Sequence, residues 1–383
     1  MSKRGQNEGS IYKRDDGRWV EVVNLGYVNG KRKRKSFYGD TRKEVQEKLT
    51  AALRDQQQGI PIPTDRQTVE QFLTHWLEDG AKATLRNKTY ESYKQIIRLY
   101  LVPDLGKIQL SKLTPQDVQR FLNQRMASGL SSRTVRYAHA TLRRALNQAV
   151  KWELIPRNVA TLVEIPRRER KEQAFLTPDE ARKFLETVRG DRLEALYTVA
   201  IALGLRKSEA LGLRWKDISF AKGTLSVRVS LQWVGGKPHL DELKTDSSQR
   251  TISLPQFALE ALHAHRERQL RQAASFGIGW QNTLGLVFTT GKGTPLHEVN
   301  VSCYFHRMLT KAGVPHIRFY DLRHTCASLL IAQGVHARVI IDLLGHSDIA
   351  VTMNTYAHIM QASRDEAAQS MQNLFYVPDD AGK

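Results

Sequence analysis

The chain has 383 residues, 41% apolar and 25% charged, with 58 Lys and Arg against 39 Asp and Glu for a formal charge of +19. That length exceeds one ordinary core and predicts two or three domains, while the apolar content excludes a disordered chain. So large a positive excess is costly in self-repulsion and points to a polyanionic partner, nucleic acid ahead of an acidic membrane surface.

The amino-terminal segment alternates short aromatic and β-branched runs with Asp16-Gly17 and Asn29-Gly30, both hairpin signals. Three antiparallel strands are predicted, then a helix from about Thr41 to Gln57. Lys31, Arg32, Lys33, Arg34 and Lys35 follow the second turn. Such a run is either a solvated face or a set of phosphate contacts, and the total charge favours DNA. Gly59-Ile60-Pro61-Ile62-Pro63 reads as a linker.

Residues 65–165 change to helical spacing, in Val69, Phe72, Leu73, Trp76 and Leu77, then in Tyr90, Tyr93, Ile96, Ile97 and Tyr100. A third helix starts with Thr114 as cap and Pro115 at its first position, and a fourth runs through SSRTVRYAHATLRRALNQAVKW. A small bundle is expected, with Lys82, Arg86, Arg133 and Arg136 as candidate DNA contacts. The charged stretch 165–173 marks a boundary.

Residues 174–383 open on a capping box, Thr177-Pro178-Asp179-Glu180. A helix through LEALYTVAIAL should end near Gly204. Strand-like runs at 224–234 and 250–254 flank a polar turn containing Lys244, and together predict one small antiparallel sheet. A helix from Pro255 to about Ala273, an extended LVFTT and several helices complete the unit. The fold class is therefore multidomain α+β: a small three-stranded β domain with a helix, a helical bundle, and a mainly helical unit with a small sheet.

Cys303 and Cys326 are the only cysteines, too few for a disulfide framework or a cysteine-rich zinc site. No stretch approaches the roughly 18 apolar residues of a membrane span, and the amino terminus lacks the apolar core of a signal peptide, so a cytoplasmic protein is expected. The sequence contains no phosphate-binding G-x-x-x-x-G-K-[ST] and no H-E-x-x-H, so no nucleotide, cofactor or metal site is predicted.

Chemistry concentrates in ALGLRKSEALGLRW (202–215), RFYDLRHTCASLLIAQG (318–334) and DLLGHSDIAVTMNTYAHIM (342–360). Arg206 stands at a helix junction with Glu209 one helical turn on, and Tyr320 and Arg323 share the same spacing. Gly345-His346 reads as a helix end and turn, followed ten residues later by Tyr356.

These motifs, in this order from Phe175 to about Ile359, resemble the signature of the tyrosine recombinases, the phage integrase family. The resemblance implies that Arg206 and Arg323 are the catalytic arginines, Lys244 the catalytic lysine, His346 the histidine after Leu-Leu-Gly, and Tyr356 the nucleophile. Glu209 matches the supporting acidic position. The family usually has histidine where this chain has Tyr320, which can contact a phosphate oxygen but is a poor base near neutrality. His324, one residue beyond Arg323, is expected to face elsewhere.

By the same resemblance residues 1–58 are an arm-type DNA-binding domain, 65–165 a core-binding domain and 174–383 the catalytic domain. The implied activity is cutting and rejoining of double-stranded DNA attachment sites through a 3′-phosphotyrosine, by a homotetramer on paired sites, without a cofactor. An excisionase or a host DNA-bending protein is an expected partner. The arm domain favours integration; a resolvase, a transposase or a non-catalytic DNA-binding regulator of the same fold are the alternatives.

Overall fold

The computed structural model describes residues 10–28, 31–57, 67–167, 174–243, 248–345, 371, 372 and 375, with backbone only at Ser10, 23–28, 31–35 and 51–57. The chain divides into two compact units, residues 1–170 and 171–383.

In the first unit β1 (Ser10–Lys13), β2 (Trp19–Val28) and β3 (Lys31–Gly39) form an antiparallel sheet in that order, and α1 (Arg42–Gln57) follows. Gly17, at φ +84°, supplies the left-handed residue of the first turn, which Arg14 N closes onto Arg18 O at 2.9 Å. Asn29 and Gly30 lie outside the described residues, although Val28 and Lys31 on either side of them are paired. Val45 and Leu49 on α1 are buried, as is Val20 on β2, against which the helix packs.

The bundle begins at α2 (Val69–His75), whose Thr68 and Gln71 form a reciprocal capping box, and runs on through a π-helical turn, Trp76–Ala81. The same happens after α3 (Asn87–Ile96), where the turn Ile97–Leu101 leads into α4 (Val102–Leu105). α5 (Pro115–Ala127), capped by Thr114, and α6 (Ser132–Lys151) complete it. Phe72, Leu73, Leu101, Phe121, Leu122, Leu142 and Leu146 are fully buried, so the helical spacing read from the sequence does face a core.

The second unit starts with α7 (Pro178–Thr187), α8 (Glu194–Leu203) and the short α9 (Lys207–Leu211). α8 is apolar on every side and buried on nearly every side; its Tyr197 joins Phe184, Phe305 and Phe319 in an aromatic cluster. The strands β4 (Ile218–Ser219), β5 (Thr224–Val227), β6 (Val229–Val234), β7 (Lys237–Glu242) and β8 (Arg250–Ser253) follow. They make two sheets rather than the expected one: β4-β5-β8, and a separate β6-β7 hairpin. KPHLDE carries too little apolar character to read as a strand. It becomes one because Gly235 and Gly236, both at positive φ, fold it back on β6.

α10 (Gln256–Phe276), α11 (Glu298–Ala312), α12 (Asp321–Ala332) and α13 (Ala337–Leu344) complete the described part. Gly204 ends α8 at φ +59°, and a Cβ there would stand 2.3 Å from Leu344 Cδ2 and 3.3 Å from Cys326 Sγ. Both the left-handed backbone and the close approach of α12 and α13 demand glycine. Gly204→Ala should therefore destabilise the protein by about 2–4 kcal/mol, the left-handed penalty plus overpacking. Chemical denaturation would show it as a lower midpoint at unchanged slope.

Candidate active site

Arg206 is the N-cap of α9, two residues beyond the turn at Gly204, so the chain reverses there and aims its side chain off the helix end. Its side chain is a third exposed and makes two directed contacts: Nη1 donates to Glu209 Oε1 at 2.6 Å, and Nη2 to the carbonyl of Gly345 at 3.0 Å. The pair expected from the spacing is present, but it is no surface ion pair, because Glu209 is 1% exposed.

Glu209 also accepts from the backbone N–H of Arg206 at 3.0 Å and from Arg250 Nη2 at 3.1 Å. Burial opposes its ionisation, yet Arg250 and Arg206 outweigh that and hold the carboxyl below its ordinary value. The carboxylate stays charged at neutral pH and fixes two guanidiniums. Arg250 itself was not singled out from the sequence. The available signal was its place on β8, two residues before inward-facing Ile252, where a charged side chain shares a face with core residues.

Arg323, on α12, is 1% exposed, and its Nη1 donates to the carbonyl of Gly204 at 2.9 Å. Burial, then the charges of Arg206 and Arg250, push its pKa down, with Glu209 opposing. It remains a cation. Arg206, Arg250 and Arg323 thus converge around one buried carboxylate, Glu209, an arrangement with net positive charge that an anion would relieve.

Tyr320 is in the helical region just ahead of α12 and is 44% exposed, whereas Arg323 is wholly buried. The tyrosine is therefore at the mouth of the site and the arginine at its floor. His324 does not face elsewhere: four residues beyond Tyr320, it sets its ring edge-on to the phenol at 5.3 Å between centroids. Burial depresses the pKa of His324, with Arg323 and Arg318 adding to the effect against Asp321. Its imidazole is neutral near pH 7.

Lys244, His346 and Tyr356 lie outside the described residues, as do the side chains of Lys31, Arg32, Lys33, Arg34 and Lys35, whose backbone forms the start of β3. The described chain reaches Gly345, the left-handed cap of α13 immediately before His346.

In the first unit Lys82 pairs with Glu78 at 2.8 Å, and Arg86 is exposed ahead of α3. Arg133 and Arg136 line an open depression of about 830 Å³ on α6 together with Arg143, Arg144 and Tyr137. Arg136 is anchored there by donating to the carbonyl of Pro166 at 2.8 Å. Among the described residues no group of His, Cys, Asp and Glu could hold a metal ion, and no helix is long and apolar enough to cross a membrane.

Residues 174–363 match the phage integrase family, and residues 68–126 match the phage integrase N-terminal SAM-like domain. The chain is 30% identical over 365 residues to a tyrosine recombinase XerC-like protein of Caldanaerobacter subterraneus subsp. tengcongensis, spanning 91% of this chain and 93% of that protein. It is 31% identical over 390 residues to an integrase of Streptomyces ambofaciens, spanning 97% and 98%. Its fold is similar to that of the Tn1549 transposon integrase in complex with a circular intermediate DNA, with a TM-score of 0.67 at 22% identity over 80% of this chain and 99% of the other.

Proposed function

The chain belongs to the phage integrase family and is a tyrosine-type site-specific DNA recombinase, and we propose that it integrates and excises a phage or mobile element through Tyr356. The observation that carries the reading is the convergence of Arg206, Arg250 and Arg323 on Glu209. A scissile phosphodiester is an anion whose nonbridging oxygens gain charge during in-line attack. Rigid guanidinium forks stabilise that charge without reorganising.

In this mechanism the Tyr356 hydroxyl attacks phosphorus, forming the 3′-phosphotyrosine and releasing the 5′ oxygen. Lys244 protonates that oxygen, Arg206 and Arg323 hold the phosphate, and Tyr320 donates to it from the mouth of the site. The Tyr356 proton leaves to solvent water as its oxygen bonds to phosphorus, and His346 assists Lys244 in protonating the 5′ oxygen. The bond energy is kept in the phosphotyrosine, so a 5′ hydroxyl from the partner duplex reseals the strand without ATP. Each protomer supplies one tyrosine, and exchanging both strands of two duplexes takes four cleavages, which assigns the work to a homotetramer. An excisionase or a host DNA-bending protein would bias its direction. The reaction takes place where the DNA is, in the cytoplasm of the bacterial host.

Affinity is divided along the chain. Arg133 and Arg136, with their arginine neighbours on α6, and Lys82 and Arg86 meet the core-site backbone, and the β3 basic run meets distant arm sites. Full-length protein mixed with two attachment duplexes should yield recombinant strands and footprint both core and arm sites. A chain starting at residue 65 should still cleave a short core duplex and lose the arm footprint. Failure to join cognate paired sites would overturn integration, and identical footprints would remove the arm role.

A further inference from the structure

Arg250 lies at a crossing of three chain segments. Its side chain is 7% exposed, and all three guanidinium nitrogens donate within the protein. Nε reaches the carbonyl of Leu343 at 2.6 Å, Nη1 the carbonyl of Ser248 at 3.0 Å, and Nη2 the Glu209 carboxylate at 3.1 Å. Leu343 is in the last turn of α13, where carbonyls have no helical partner, three residues before His346. Ser248 is four residues beyond Lys244. Glu209 holds Arg206, and Arg206 in turn donates to Gly345, two residues past Leu343. The carboxylate thus organises a closed ring: Glu209 to Arg250 to Leu343, along the chain to Gly345, and back through Arg206.

We propose that Arg250 is a positioning residue for proton transfer in this recombinase, setting the segments that carry Lys244 and His346 against the Arg206–Glu209 pair. This rests on the catalytic assignment of Lys244 and His346 above. Each guanidinium nitrogen of Arg250 already has an acceptor within the protein, on three different chain segments, so the side chain is set to brace those segments. Arg323 has an anchor of its own in the carbonyl of Gly204. Losing it should leave the phosphate clamp in place and displace the groups that protonate the leaving oxygen. Methionine keeps the apolar stem of the side chain and removes all three donating nitrogens; lysine keeps the charge and can reach one or two of the carbonyl and carboxylate acceptors.

The test uses the full-length protein and two suicide duplexes, one ordinary and one with sulfur in place of the 5′ bridging oxygen. A thiolate departs without a proton, so the second duplex needs no acid. On the ordinary duplex Arg250→Met should cleave roughly 100-fold more slowly at saturating protein, the scale of a small misplacement of catalytic groups. DNA affinity at fixed salt should be unchanged, and Arg250→Lys should recover part of the rate. On the sulfur duplex Arg250→Met should approach the parent protein, as Lys244→Ala should. An Arg250→Met protein equally slow on both duplexes, or fully active on the ordinary one, overturns the positioning role. A parent protein that forms no adduct with either duplex overturns the catalytic assignment itself.

Discussion

Tyr356→Phe should bind attachment DNA with the affinity of the parent protein and form no covalent adduct. The substitution removes one oxygen and no charge, so the basic residues that set affinity and its salt dependence are untouched. What is lost is the only group proposed to attack phosphorus. Cleavage should fall by roughly 10⁴-fold or more, the scale on which covalent catalysis fails when its nucleophile is removed. A suicide duplex that traps the adduct, followed by peptide mapping, makes the measurement. An adduct persisting in Tyr356→Phe, or mapping in the parent protein to another residue, would reject the assignment. Mixing Tyr356→Phe with protomers lacking Arg323 adds a check on assembly, because recovery of cleavage would mean that one protomer's tyrosine serves another's arginines.

Much of this architecture was legible because the elements carry local signals that agree with their packing. Thr68, Thr114 and Thr177 each cap a helix, two of them followed by Pro at the first helical position, and Gly204, Gly313 and Gly345 end helices in the left-handed conformation. The Arg206–Glu209 pair was legible from spacing alone, since both partners belong to one turn. What spacing does not carry is burial. A three-residue interval looks the same on a solvated helix and at Glu209, which is closed off by Arg250 from a strand 41 positions away. The β7 strand was missed for a related reason: KPHLDE is half-exposed and polar, held by pairing with β6 rather than by its own composition. His324 was misjudged by treating a one-residue offset from Arg323 as a change of face, when its partner is Tyr320, one turn earlier.

The contrast between Tyr320 and Arg323 yields the second large effect. Arg323→Ala should slow single-turnover cleavage by roughly 100- to 1000-fold, the cost of removing one preorganised charge-stabilising donor, about 3–4 kcal/mol. The loss is steep because the guanidinium is 1% exposed, where its field is little screened. It also sits beside Arg206, and an incoming phosphate relieves their mutual repulsion. Arg323→Lys should recover only part of the rate, since a single ammonium cannot both keep the bond to Gly204 and face two oxygens. Tyr320→Phe should be far milder. One neutral donor is worth about 1 kcal/mol, and at 44% exposure water can replace it, so a loss of about 10-fold or less is expected. Tyr320→His should be tolerated, because an imidazole there can donate to the same oxygen. Rates at saturating protein and fixed salt separate chemistry from affinity, and thermal denaturation of each variant separates both from folding. A Tyr320→Phe protein as inactive as Arg323→Ala would give the hydroxyl a role in proton transfer rather than a single supporting hydrogen bond. Cleavage at the full rate would reduce Tyr320 to a packing partner of His324 and leave the phosphate to the arginines.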